Sequence, residues 1–252
     1  MSKTRVLLIG ESWTVQIIET KGYDRFCSGS YGVGTQYIEK VLAGDEFEFS
    51  HMPCHRVTFD FPGSAQELAE AYDVVIVSDV GSNTFLLPAE TFMECRRSPN
   101  KLAILRDFVL GGGGLCMAGG YMTFAGIEGK AKYHDSVLET VMPVEFLSCD
   151  DRQEHPEGLD IPIDPTRHPI LHGLPDRLEG ILGYNKAKAK EGFETLATVE
   201  GDPLLVIGEF GSGRSIAYST DIAPHWSSNE FCESEAYSTL WKNMVRWLAK
   251  KI

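Results

Sequence analysis

Apolar residues in this chain come in short unbroken runs, not long stripes. Arg5–Gly10 (Arg-Val-Leu-Leu-Ile-Gly) and Asp73–Ser78 (Asp-Val-Val-Ile-Val-Ser) are the clearest. Runs of this length, bounded by turn residues, predict strands buried on both faces, as in a parallel sheet. Glu46–His51 alternates and predicts another strand, and Leu115–Ala118 predicts one between glycines. Between these runs, Gly34–Ala43, Ser64–Ala71 and Asn100–Leu110 have helical character, with Gly111 as a stop for the last. Strands alternating with helices imply right-handed βαβ units and an α/β, doubly wound, mostly parallel sheet with helices on both faces.

Past residue 120 the pattern changes. His134–Val141 predicts a helix, and residues 143–190 read as an irregular insertion in which Glu154–Asp176 is a long loop rich in Pro, His and Asp. Three strands are then expected at Glu194–Val199, Pro203–Phe210 and Arg214–Thr220, joined by hairpin-like turns. Ser234–Lys250 is amphipathic, with Tyr237, Leu240, Trp241, Met244, Val245 and Leu248 on one face. Thr14–Gly32, with Gly22, Gly29, Gly32 and several aromatics, reads as a long functional loop. The expectation is one domain over residues 1–252.

Composition narrows the function classes. The formal charge is −13, with no basic stripe, so no nucleic-acid partner is expected. No apolar run is long enough to span a bilayer, and the N-terminus runs directly into a strand without an apolar leader. Cytoplasmic location is the expectation, with no membrane partner. Cys27, Cys54, Cys95, Cys116, Cys149 and Cys232 are scattered and read as reduced thiols. His51–His55 and Asp150–His155 group potential ligands but lack a second converging set, so no metal ion and no cofactor are expected. Trp13, Tyr23, Phe26 and Tyr31 mark the 14–32 segment as a contact in an expected homo-oligomer.

Candidate chemistry centres on Gly111–Tyr121, a glycine-flanked strand and turn. In an open α/β sheet, ligands sit beyond the carboxyl ends of the strands. Two registers compete. In one, Cys116 occupies a nucleophile elbow between small residues. In the other, Leu115–Ala118 completes the strand, Gly119-Gly120 forms the turn, and Cys116 is a small hydrophobe inside the sheet. Strand length and the helix cost of glycine favour the second. That register leaves the amides of a helix start to hold an anion or a carbonyl oxygen, with Tyr121 at the rim.

Glu11 ends the first strand. It is read as a carboxylate facing the crevice, or as a cap on nearby amides. Asp79 and Asn83 share this rim as ligand contacts, or serve turn chemistry alone. His225 with Asp221 four residues earlier reads as an oriented base, or as a locally satisfied loop histidine. The site reading is Glu11, Asp221 and His225 for catalysis, and Asp79, Asn83, Gly119, Gly120 and Tyr121 for binding a small polar molecule. Cys116 with His225 is the alternative pair.

Gly10-Glu-Ser-Trp13, Ser78-Asp-Val-Gly-Ser-Asn83, Gly112-Gly-Gly-Leu115, Gly119-Gly-Tyr-Met-Thr-Phe124, Asp150-Asp-Arg152, Leu182-Gly-Tyr-Asn185, Gly211-Ser-Gly-Arg214 and Asp221-Ile-Ala-Pro-His-Trp226 occur in one chain. Together they resemble the bacterial "putative glutamine amidotransferase" family of the class I glutamine amidotransferase-like superfamily. The resemblance spans nearly the whole chain and implies a flavodoxin-like fold with an elbow after Ala118. Active members of the superfamily place a cysteine at the elbow and a late His-x-Glu. Here Gly119 holds the favoured elbow position, and Trp226-Ser227 follows His225. The expectation is therefore a binding or hydrolytic site without glutaminase activity. A Cys-dependent amidotransferase and a non-catalytic oligomeric protein are the alternatives.

Overall fold

A computed structural model describes residues 2–252. The chain begins with β1 (Thr4–Gly10), β2 (Ser12–Lys21), β3 (Asp24–Val33), α1 (Gln36–Leu42) and β4 (Phe47–Met52). It continues through α2 (Val57–Asp60), α3 (Ala65–Ala71), β5 (Val74–Ser78), α4 (Ser82–Leu86), α5 (Ala89–Phe92), α6 (Lys101–Leu110) and β6 (Gly114–Ala118). Four strands follow: β7 (Val144–Phe146), β8 (Arg152–Pro162), β9 (Arg177–Asn185) and β10 (Ala187–Ala189). The chain ends with β11 (Glu194–Val199), β12 (Asp202–Phe210), β13 (Gly213–Tyr218), α7 (Asn229–Cys232) and α8 (Glu235–Leu248).

Seven strands form the central sheet in the order β11-β12-β13-β6-β5-β1-β4. The pairs from β4 to β13 are parallel, while β12 and β11 are antiparallel. This is a flavodoxin-like doubly wound core extended by a C-terminal meander. β5 is buried at every position, as expected of a strand covered on both faces. Its alternate residues feed two cores. Val74 and Ile76 pack with α1, α8 and the β8–β9 pair, while Val75 and Val77 pack with α3 and α6.

Local chemistry fixes the helix starts. The Ser64, Asn100 and Ser234 side chains accept from the amides of Glu67, Ala103 and Tyr237, capping α3, α6 and α8. α8 buries the six apolar residues its periodicity marks, each worth about 1.5–3 kcal/mol when fully removed from water.

Four expectations need correction. Thr14–Gly32 is not a loop: it lies within the hairpin β2–β3, paired in register from Ser12↔Val33 to Lys21↔Asp24. Gly22, at φ 65°, opens its two-residue turn, a position that demands left-handed backbone. Glu154–Asp176 is only partly irregular, because most of β8 falls in it and pairs with β9. Leu159, Ile161, Leu178 and Ile181 bring that pair into the core, so the 143–190 insertion is largely strand. His134–Val141 holds only a 3-10 turn at Val137–Val141. There, the Glu139 carboxylate accepts from the amides of Asp135 and Phe146, a side-chain alternative to a helical start. Finally, no helix follows the turn after β6. The chain makes turns, then a 3-10 segment at Ile127–Gly129.

Candidate functional site

Strand order reverses at β1: β4 lies on one side and β5 on the other. The crevice beyond the carboxyl ends of β1 and β5 is therefore the topological switch point, where doubly wound sheets bind ligands. Glu11 is the first residue past β1 and Asp79 the first past β5. Gly10 lets these ends approach, since a Cβ there would run into the Ser78 carbonyl. The Glu11 amide donates to that carbonyl at 3.1 Å, and the Ser78 hydroxyl donates to Glu11 Oε1 at 2.5 Å. Glu11 Oε2 occupies the space a side chain at position 34 would need, so Gly34 makes room for it.

Burial pushes the Glu11 carboxyl well above its usual range, and the Asp221 and Asp79 charges push it further. Asp79 is pushed up to about 6, first by burial and then by Asp221. The amides of Met122 and Tyr121 and the charge of His225 oppose that rise.

The turn after β6 differs from its expected role as an anion site. The Gly119 amide donates to the carbonyls of Tyr218 and Thr220. The Gly120 amide donates to Asn185 Oδ1 at 2.8 Å, and the Met122 amide to Asp79 Oδ1 at 2.8 Å. The amides of Ala125 and Gly126 donate to Asp151. The amides of Gly119, Gly120, Met122, Ala125 and Gly126 are thus taken by the protein's own carbonyls and side chains. Asn185 also donates to Asp151 Oδ1 at 2.8 Å, tying the turn to β9. Burial raises the Asp151 carboxyl to about 6.

Gly119 occupies the elbow position and has no room for a side chain, because a Cβ would collide with the Ser219 carbonyl and Asn185. Cys116 lies within β6, fully buried, in register with Ile76 and Ile216. Burial alone drives its thiol far above the usual range, the opposite of what a thiolate nucleophile needs.

The outer wall comes from the segment after β13 and from β8. Asp221 is buried, and its Oδ2 lies 3.5 Å from Nδ1 of the more exposed His225. This contact raises the His225 pKa against partial burial. The Tyr121 ring meets His225 edge-on at a centroid distance of 4.2 Å, and the Arg152 guanidinium covers it at 4.5 Å. Glu154 accepts from both Tyr121 Oη and Trp226 Nε1, at 2.9 Å each. Asp150 fixes Arg152 through two contacts of 3.0 and 2.9 Å.

The structure brings Glu11, Asp79, Gly119, Gly120, Tyr121, Asp221 and His225 to one edge of the sheet. Asn83 stands apart, exposed on α4, with no side-chain hydrogen bond to this group among the described residues. Ser78, Asp151, Arg152, Glu154, Asn185 and Trp226 were not singled out as site residues. Several lie in the motifs quoted above, where a buried Asp or Asn at a strand end was the available signal. Cys54 also borders the crevice, its thiol 3.7 Å from the Asp79 carbonyl. Among the described residues, neither His51–His55 nor Asp150–His155 gathers a three-residue ligand set. His134, Asp135 and Glu139 do come together, but both Glu139 oxygens already accept backbone amides.

The family model described as "Putative glutamine amidotransferase" (GATase1_like) matches residues 5–250. Among solved structures, "Cytoplasmic Protein STM3548" from Salmonella typhimurium is 42% identical with a TM-score of 0.91, over 96% of this chain and 98% of that one. "Cytoplasmic Protein STM1381" from Salmonella typhimurium LT2 is 41% identical with a TM-score of 0.92, over 97% and 99%. A "Putative thua-like protein" from Parabacteroides merdae ATCC 43184, 11% identical with a TM-score of 0.56 over 99% and 91%, shares the fold alone. No curated protein matches the chain. With a match over almost its full length, the chain belongs to the putative glutamine amidotransferase (GATase1_like) family.

Proposed function

We propose that this chain binds, and hydrolyses, a small polar molecule at the carboxyl edge of its sheet, without glutaminase activity, and works in the cytoplasm. The observation that carries the reading is at Gly119, where the elbow position excludes any side chain. Cysteine-dependent amide transfer needs a thiolate there with a base in reach. Cys116 is sealed within the sheet. The names of the two close Salmonella relatives support the cytoplasmic assignment.

The side chains that a ligand would meet are Asp79, Tyr121 and His225, the partly exposed members of the group. Asp221 orients the imidazole from behind, and the Asp79 charge adds to the burial that raises the Glu11 carboxyl. In this reading His225 exchanges a proton with water or the leaving group, and Asp79, near neutrality in its protonation, acts as its partner. The amides of Gly119, Gly120 and Met122 are already taken, so an oxyanion at the elbow gains no donor from these three. This favours hydroxyl-rich or cationic ligands over carboxylates.

Ammonia release from L-glutamine tests the negative part. Wild type and Cys116→Ser should both remain at background. Amide and imidazole NMR shifts of Gly120, Tyr121 and His225 during titration with neutral polyols, sugars, simple amines and glutamate test the positive part. Shifts with the polyols, sugars or amines are expected. Glutamine hydrolysis lost in Cys116→Ser would overturn the proposal, as would silence at all three residues across the panel.

A further inference from the structure

The β2–β3 hairpin hydrogen-bonds to no third strand among the described residues. A lone two-stranded hairpin is marginal in water and needs a third strand or a packed layer. This one exposes large apolar side chains along its length: Trp13 at 44%, Ile17 at 50%, Ile18 at 56% and Tyr31 at 52%.

Residues opposite one another in an antiparallel pair share a face. One face therefore carries Trp13, Val15 and Ile17 on β2 against Gly32, Ser30 and Ser28 on β3. That is a ridge of large apolar groups beside a trough of small ones. Trp13 already folds over Gly32, which leaves Val15 and Ile17 as the ridge and Ser28 and Ser30 as the trough. A ridge and trough on one face are self-complementary under a two-fold axis, as an interface between identical chains requires.

Charge points the same way. The hairpin holds Lys21 and Arg25 against Glu19 and Asp24, so it is neutral within a chain of net charge −13. Two acidic copies would repel elsewhere but can meet here. Area sets the extent of cover. Two ten-residue strands present roughly 340 Å² per face at about 3.4 Å per residue and about 5 Å per strand. One face falls short of the roughly 800 Å² per partner of a standard interface, whereas both faces approach it. The opposite face carries Ile18 and Tyr31.

We propose that the β2–β3 hairpin is an assembly arm, seated against a second copy of this chain and covered on both faces. Analytical ultracentrifugation over a concentration series tests it. Wild type should sediment as a multiple of one chain. Val15→Asp/Ile17→Asp should sediment as a single chain with unchanged circular dichroism, and Phe59→Asp, elsewhere on the surface, should leave the mass alone. Maleimide labelling of Ser30→Cys gives a second reading that does not depend on the double variant. Labelling should slow by more than an order of magnitude when the protein is concentrated and recover on dilution. A wild type that is a single chain throughout would overturn the proposal, as would a double variant that keeps the full mass, or a Ser30→Cys rate independent of concentration. A single chain that floats with phosphatidylcholine vesicles would also overturn it and reassign the arm to a lipid surface.

Discussion

Glu11 and Asp79 are counterparts on neighbouring strands: each is the first residue past its strand, and each has φ of 46°. Left-handed backbone at a residue other than glycine costs on the order of 1 kcal/mol or more and persists only where its surroundings enforce it. Here the Gly10–Ser78 contact enforces the approach, and the result is two carboxyls turned into one crevice. The matched strain falls beside the switch point, where doubly wound sheets bind their ligands.

That pairing has a pH consequence. Asp79 titrates at about 6 in the folded protein, above its value in an unfolded chain, so the folded state holds the proton more tightly. Its contribution to stability is therefore complete below about pH 4 and is lost as pH rises through about 6. Glu11, also raised, extends the loss upward. Asp79→Asn keeps an acceptor for the Met122 amide but cannot ionise. Chemical denaturation should show it losing about 1–3 kcal/mol less than wild type between about pH 4 and pH 7.5. Parallel curves for the two proteins would refute this.

Asn185→Ala removes the acceptor for Gly120 and the donor to Asp151 within a buried site. Leaving such groups unpaired costs about 1–3 kcal/mol each. Thermal melts should show a clear loss of stability, with the Gly120 amide gaining hydrogen exchange ahead of the central strands. A Tm within error of wild type would mean that another group satisfies the turn.

Thiol labelling should sort the six cysteines by burial. Cys95 and Cys149 are exposed and should react with iodoacetamide first, whereas Cys27, exposed in the single chain but set on the β2–β3 arm, should react fast only in dilute protein. Cys54, half-buried, should follow, while Cys116 and Cys232 stay protected until unfolding. Burial raises the Cys232 thiol to about 12, which adds a chemical barrier to the steric one. Rapid native labelling at Cys116 would contradict its place in β6.

Installing a nucleophile at the elbow should fail for a geometric reason. Gly119→Cys would drive its Cβ against the Ser219 carbonyl, a backbone atom that cannot swing aside. Overpacking of this kind costs about 1–3 kcal/mol. The variant should melt earlier than wild type and still release no ammonia from glutamine. Glutaminase activity in this variant would show that the bend can open.

The parallel core was legible because Arg5–Gly10 and Asp73–Ser78 carry their burial in plain apolar runs. Cys116 was placed correctly by arithmetic on strand length and glycine cost alone. The hairpin was obscured because Gly22, Gly29 and Gly32 resemble loop punctuation. The alternation Val15-Gln16-Ile17 was present but had no polar-versus-buried contrast to report, both faces being open. β8 was obscured by Pro156, Pro162 and a charged stretch, which its irregular register tolerates. The fate of the turn amides was not readable from local sequence. Asp79, Asp151 and Asn185 reach them from 25 to 65 residues away, through contacts that only the folded chain creates.

Asp79 against the Met122 amide makes the protein its own occupant. An incoming anion would have to evict a rival fastened to the same backbone, which never diffuses away and so acts at a very high local concentration. Protonation near pH 6 loosens that rival's hold. Under the proposed function, mild acid is the condition in which this edge of the sheet would first admit a negatively charged guest.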